Sequence, residues 1–190
     1  SDSPQEDQIF QPVGEMMNYL TLTKNTDPTP YMNRYKNSLH FTDRMLHRIF
    51  SALEKHGLLQ NTLVVLTGDH GQEINDTRHN FWGHNSNFAK YQTHVPLFVW
   101  RPGQTAPRTA SWRTTHYDVA PTVLKTAYGC QNPAADYSIG MDLFDPSPRP
   151  FALISSYTKK AIRTGDKLTV MDAYGNLEFY DENFVSTPTG

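Results

Sequence analysis

The sequence predicts an α/β fold, a partly parallel sheet flanked by helices, followed by a small antiparallel C-terminal subdomain. Three observations carry that expectation. An amphipathic helical pattern from Pro30 to Gly57 is followed, after a short link, by the apolar run Thr62–Thr67. A second apolar run, Val95–Trp100, lies beyond a long polar loop. From residue 151 the apolar period drops to two, and short runs alternate with turn residues. Helix followed by strand is the return half of a βαβ unit, which points to parallel pairing.

Taken in order, residues 1–29 are rich in Pro, Asp, Thr and Asn and read as irregular, with at most a short helical stretch around Glu15–Leu22. In the helix, Leu39, Thr42, Leu46, Ile49 and Leu53 recur at steps of three and four, which lays one apolar stripe along it. Gly57 supplies the stop, as a residue in the left-handed region after a helix would. The link Leu58–Asn61 leads into Leu63-Val64-Val65-Leu66, expected to be a buried strand, and this stops at Thr67-Gly68-Asp69-His70-Gly71. The loop Gln72–His94 exceeds the roughly 12–15 residues usual for a structureless connection, so a functional role is expected of it. Val95–Trp100 should be a second buried strand. Asp118 is placed to cap a helix with Pro121 in its first turn, running through Val123, Leu124 and Ala127 to Gly129. Beyond the Pro-rich stretch Asp145–Pro150, the runs Phe151–Ser156, Lys160–Thr164, Lys167–Met171 and Leu177–Tyr180 should form an antiparallel meander. The expected division is an α/β part over 1–145 and a small antiparallel part over 146–190.

A chain of 190 residues is long enough for one good core. Its net charge of −2 gives no global electrostatic case for binding nucleic acid or an anionic membrane surface. The single Cys130 excludes an intrachain disulfide and leaves the redox compartment open. The apolar runs fall far short of the roughly 20 residues of a membrane helix, and no basic-then-apolar leader pattern is present, so a soluble chain is expected. The abrupt start at Ser1-Asp2-Ser3-Pro4 reads as a piece of something longer.

The chemistry concentrates after the first apolar run. A strand that ends at a glycine-flanked Asp-His pair puts two metal-capable side chains at a strand's carboxyl end, where open α/β sheets keep their ligand sites. Adjacent strand residues point to opposite faces, so Asp69 and His70 can share an ion only if the backbone turns there, which Gly68 and Gly71 permit. The alternative is an ordinary polar corner. His70, His79, His84 and His94 fall within 25 positions, together with Asp69, Glu73 and Asp76. Imidazole and carboxylate are the ligands of zinc, manganese and magnesium-type sites, and the spacing matches no closed structural zinc pattern. His84, in Trp82-Gly83-His84-Asn85-Ser86-Asn87, either holds an oxyanion or bonds a backbone carbonyl. His94 and His116 read as structural. Glu73 is either behind His70 or solvated. Lys159, Lys160, Arg163 and Lys167 read as a charged strand edge.

The stretch Lys55–Thr62, Leu63–Leu66 and Thr67-Gly68-Asp69-His70-Gly71 resembles the central part of sulfatases of the alkaline phosphatase superfamily. Thr93-His94-Val95-Pro96-Leu97, Tyr117–Thr122 and Leu177–Asp181 resemble that family's later landmarks, in order. More narrowly, Thr26–Pro30, Arg34–Ser38 and Trp82–Phe88 resemble the periplasmic domain of YejM/PbgA-type inner-membrane proteins, implicated in lipopolysaccharide and envelope-lipid homeostasis. The resemblance implies Asp69 and His70 as ligands of a divalent metal (zinc, manganese, calcium or magnesium) and His84 as a contact to the phosphate or sulfate of the substrate. It also implies a nucleophile and a further metal-binding acid that the chain lacks: Cys130 stands too late, and Gln5 replaces a histidine in Ser1–Gln5. The expectation is therefore the C-terminal half of a periplasmic, membrane-anchored, metal-dependent phosphoester or sulfoester hydrolase or transferase. Its partners would be an ester or lipid ligand and the N-terminal half and membrane helices of the parent. The alternative is a non-catalytic lipid-binding or regulatory domain.

Overall fold

The computed structural model describes residues 3–85, 87–104 and 106–188. Ser1 and Asp2 of the segment Ser1–Gln5, and Ser86 of the His84 loop, lie outside the described residues.

The first helix, α1 (Thr29–Lys55), starts where Asp27 Oδ1 accepts the Thr29 N–H at 2.9 Å and Pro30 stands in the opening turn. That backbone bond holds the Asp27 carboxyl below its ordinary range. It ends at Gly57, with φ +66°, where the Leu58 N–H donates back to the Leu53 carbonyl at 2.8 Å. The helix lies where periodicity puts it, but a different face of it is used. Residues 3–14 have little regular structure and must pair their backbone polar groups elsewhere. Asn37 exchanges both hydrogen bonds with the Phe10 backbone, at 2.9 and 3.1 Å, Asn33 donates to the Pro12 carbonyl, and Arg44 grips Asp7 through two bonds. The buried face is therefore polar, while Leu39 and Ile49 of the apolar stripe stay about half exposed. Around Glu15–Leu22 there is a turn on the Asn18 carbonyl and no helix.

The α/β class holds, but every strand pair among the described residues is antiparallel. Strand β1 (Val64–Thr67) pairs with β4 (Leu97–Trp100) in the register Val64↔Trp100 to Thr67↔Leu97. The chain leaves β1 into its long loop and returns beside the same strand end, which reverses its direction. Among the described residues no strand precedes α1 to give β1 a parallel neighbour. Neither strand is fully buried: β1 is half-buried and Phe98 is 63% exposed. Inside the loop, β2 (Glu73–Ile74) and β3 (Trp82–Gly83) form a small hairpin, followed by the short helix α2 (Lys90–Thr93). Ile74, Trp82 and Leu22, with Met17, Tyr31 and Met32 against them, dock this hairpin on α1.

Helix α3 (Val119–Tyr128) begins at Asp118 as the sequence predicts, but the Asp118 carboxylate does not cap it. It turns back to the Thr115 N–H (2.8 Å), the Met141 N–H (2.8 Å) and Arg149 Nε (3.1 Å). Strands β5 (Ala152–Ser155), β6 (Lys160–Thr164), β7 (Lys167–Met171) and β8 (Leu177–Asp181) form the expected meander in sequential order. Its inner face packs Ala161, Leu168 and Val170 on Phe88, Ile154, Tyr180 and Phe184, and full burial of Leu168 and Val170 contributes about 1.5–3 kcal/mol each. The alternation that buries Ala161 also turns Arg163 inward, to 9% exposure. The charged edge expected of Lys159, Lys160, Arg163 and Lys167 is therefore absent among the described residues: β6 and β7, which carry the last three, are interior strands, and Arg163 faces inward while Lys160 and Lys167 face out.

Candidate functional site

The carboxyl end of β1 opens onto a cleft of about 1200 Å³ that runs between the long loop, residues 110–117 and the meander. Its rim is built by a short chain of backbone commitments. Thr67 Oγ1 donates to the Pro96 carbonyl (2.9 Å), and His116 Nε2 donates to the Gly68 carbonyl (2.9 Å), which ties the end of β1 to both neighbours. His116 thus bonds the backbone, the role favoured for it, while standing exposed on the cleft lining. The chain then turns: Asp69 Oδ1 accepts the His70 N–H at 3.0 Å, and the Gly71 N–H donates to the Gln92 carbonyl at 2.8 Å. Glycine is required at 71 because a Cβ there would collide with the Tyr91 carbonyl.

This turn brings Asp69 and His70 to the same side. His70 Nε2 lies 3.7 Å from Asp69 Oδ1, both side chains are exposed, and both line the cleft. His70 Nδ1 donates to the Gly71 carbonyl at 2.8 Å, which leaves the Nε2 lone pair directed away from the backbone. His84 arrives from the far side of the hairpin. Its ring stacks on that of His70 with centroids 3.9 Å apart and planes 24° apart, and its Nδ1 donates to Gln72 Oε1 at 3.1 Å. Three side chains separated by up to 15 positions in sequence thus share one rim.

The remaining candidates divide. His94 lines the cleft and is exposed, which corrects the packed position expected of it. Asp76 accepts the Ile74 N–H at 2.7 Å and serves the hairpin turn, and His79 is exposed away from the cleft lining. Glu73 matches neither reading made of it. It is fully buried, and its carboxylate accepts from Thr77 Oγ1 (2.6 Å), Asn87 Nδ2 (2.8 Å) and Gln92 Nε2 (2.8 Å). It thereby bolts residues 87–92, just beyond His84, to residues 71–73, just beyond His70. Gln72 and Gln92 carried no signal in the sequence, since lone amides in a polar loop are ordinary, and Asn87 was marked only as part of Trp82–Phe88.

The donor set fits half of a cation site. Two ligand atoms each about 2.1 Å from a tetrahedral ion stand roughly 3.4 Å apart, close to the spacing of His70 Nε2 and Asp69 Oδ1. Among the described residues, no group of three or more His, Cys, Asp or Glu side chains is placed to hold a metal. Also among the described residues, no helix is long and apolar enough to cross a membrane.

The sulfatase family model matches residues 2–130. The chain is 26% identical over 152 residues to inner membrane protein YejM of Salmonella typhimurium, covering 80% of this chain and 25% of that protein. It is 33% identical over 116 residues to arylsulfatase K of Bos taurus, covering 57% of this chain and 21% of that one. Among solved structures, the BT33494S-sulf protein of Bacteroides thetaiotaomicron, from a locus for metabolism of multiple glycosaminoglycans, superposes with a TM-score of 0.69 at 19% identity, over 98% of this chain and 46% of that one. The chain spans about a quarter of the length of these curated relatives. With a strand-end Asp-His pair, a histidine-bearing loop folded over it and a family model covering more than half its residues, the chain belongs to the sulfatase family.

Proposed function

We propose that this chain carries part of the reaction centre of a metal-dependent phosphoester or sulfoester hydrolase or transferase, anchored to the inner membrane and facing the periplasm. The observation that carries the reading is the 3.7 Å approach of His70 Nε2 to Asp69 Oδ1, with His84 stacked against the same imidazole. Asp69 and His70 would hold the divalent cation. When bound, such an ion supplies Lewis acidity, favouring an ionised nucleophile and a polarised ester oxygen. His84, oriented by Gln72, stands where its Nε2 can donate to an ester oxyanion as charge develops on it. Gly71 and Glu73 hold the two histidine-bearing segments together, so this geometry requires no rearrangement as the ester arrives. The nucleophile and further cation ligands would come from the rest of the parent, in keeping with the quarter-length match to its relatives. Anchoring to the inner membrane is supported by the likeness to inner membrane protein YejM.

A second reading has its own support. YejM, a curated relative matched over most of this chain, is named as an inner membrane protein. On this reading the cleft binds lipid and regulates envelope-lipid homeostasis without turnover. Asp69→Asn in the full-length protein separates the two. Loss of bound metal and of hydrolysis of a generic sulfate or phosphate ester, with melting temperature almost unchanged, is the expected outcome. Activity that survives both this change and chelation overturns the hydrolase reading.

A further inference from the structure

The cleft that Asp69 and His70 line is also lined by two guanidiniums, one on the meander and one on the 110–117 segment. Arg163, nine-tenths buried on β6, donates from Nε to the Gly165 carbonyl (3.2 Å) and from Nη2 to Glu182 Oε2 (3.1 Å). Arg113, on the 110–117 segment, donates from Nη1 to the same Gly165 carbonyl and from Nη2 to Asp166 Oδ1 (3.2 Å). Two cations therefore converge on one carbonyl oxygen. Burial, and then the neighbouring Arg113, push the Arg163 pKa below its ordinary value, so the charged pair is held at a cost. Lys90 approaches Glu182 from the other side at 3.5 Å. Lys90, Arg113 and Arg163 against Asp166 and Glu182 leave one positive charge in excess, and all five residues line the cleft. Arg149, in the same cleft, differs: its charge is met by the buried Asp118. Each guanidinium has five N–H donors, and these four hydrogen bonds use less than half of the pair's capacity.

We propose that Arg113 and Arg163 form an oxyanion-binding subsite, which takes a second anionic group of the substrate at a distance from the ester engaged at Asp69, His70 and His84. The forked guanidinium geometry suits a tetrahedral sulfate or phosphate, or a carboxylate, bound through paired N–H donors. An anion there offsets the excess charge and bridges the two side chains that now repel one another. The substrate would be a multiply charged ester, and that consequence rests on the hydrolase reading given above; the subsite itself does not. The competing explanation is a latch in which Arg113 merely ties the 110–117 segment to the β6–β7 turn.

The test is an NMR titration of the ¹⁵N-labelled chain with sodium sulfate, phosphate and acetate against chloride at constant ionic strength, following the Arg113 and Arg163 Nε–H signals. Saturable shifts of both signals are expected, with binding weakened about tenfold or more in Arg113→Gln. Asp69→Asn and His84→Ala should leave the affinity within about twofold. Saturation by sulfate or phosphate but not acetate assigns a sulfated or phosphorylated group, and the reverse assigns a carboxylate. Arg113 is about half exposed, so its variant should fold even if Arg163→Gln does not. No shifts beyond those with chloride, or equal binding by Arg113→Gln, overturns the proposal and leaves only a latch. Binding lost in Asp69→Asn and His84→Ala but kept in Arg113→Gln also overturns it, while leaving the hydrolase reading in place.

Discussion

Glu73 shows how much one residue can set. Its carboxylate is removed from water and accepts from a hydroxyl and two side-chain amides, those of Asn87 and Gln92 themselves buried. Alanine at 73 would leave the donors of Asn87 and Gln92 without this partner in the interior. A loss of about 3 kcal/mol in urea unfolding is expected, together with separation of the His70 and His84 rings, visible as changed imidazole ¹H–¹⁵N signals. A stability change under about 0.5 kcal/mol would show that the carboxylate does not hold the two segments together. In the sequence Glu73 is one acid among several in a polar loop. Nothing in its neighbours marks it as buried, because the amides that bury it come from 14 and 19 positions further on.

At the scale of elements, α1 illustrates the difference between a helix and its partner. The three-and-four spacing of apolar residues locates the helix, and Gly57 locates its end, but neither says which face will be covered. The face that packs on residues 3–14 does so through Asn33, Asn37 and the Arg44–Asp7 pair. The Asp7 carboxyl is buried and held below its usual 3.8, chiefly by its hydrogen bond from Arg44, with His40 adding to the effect. A folded-state pKa below the unfolded one contributes stability that is complete above the unfolded value and is lost as pH falls through the folded value. The clamp should therefore hold at neutral pH and weaken below about pH 4. Asp7→Asn should lower the melting temperature at pH 7 and flatten its fall on the acid side. A variant profile parallel to that of the parent at every pH would exclude Asp7 as the titrating group.

At the scale of the whole molecule, the meander and the β1–β4 ribbon both line the cleft, and the chain enters the meander past the buried joint between Asp118 and Arg149. Asp118 is fully buried, Arg149 nearly so, and together they hold residues 141–149 against the start of α3. Removing one partner of a buried pair leaves the other charge uncompensated, so Arg149→Ala should cost about 3–5 kcal/mol. Because this joint carries the chain into the meander, the same variant should loosen the cleft, read as faster amide exchange in residues 152–164. Exchange and stability like those of the parent would show that hydrophobic packing on Phe88 alone seats the meander.

The sequence by itself determined the features that depend on near neighbours: the span of α1, the strand ends at Thr67 and Trp100, and the four-stranded meander. Each rests on a period, a stop signal or a turn residue acting within a few positions. Tertiary structure alone decided the direction of the strand pairs, the polar choice of helix face, the burial of Glu73 and Arg163, and the stacking of His84 on His70. Those outcomes depend on groups brought together from distant positions, where a buried charge is stable only if the right donor arrives from elsewhere in the chain.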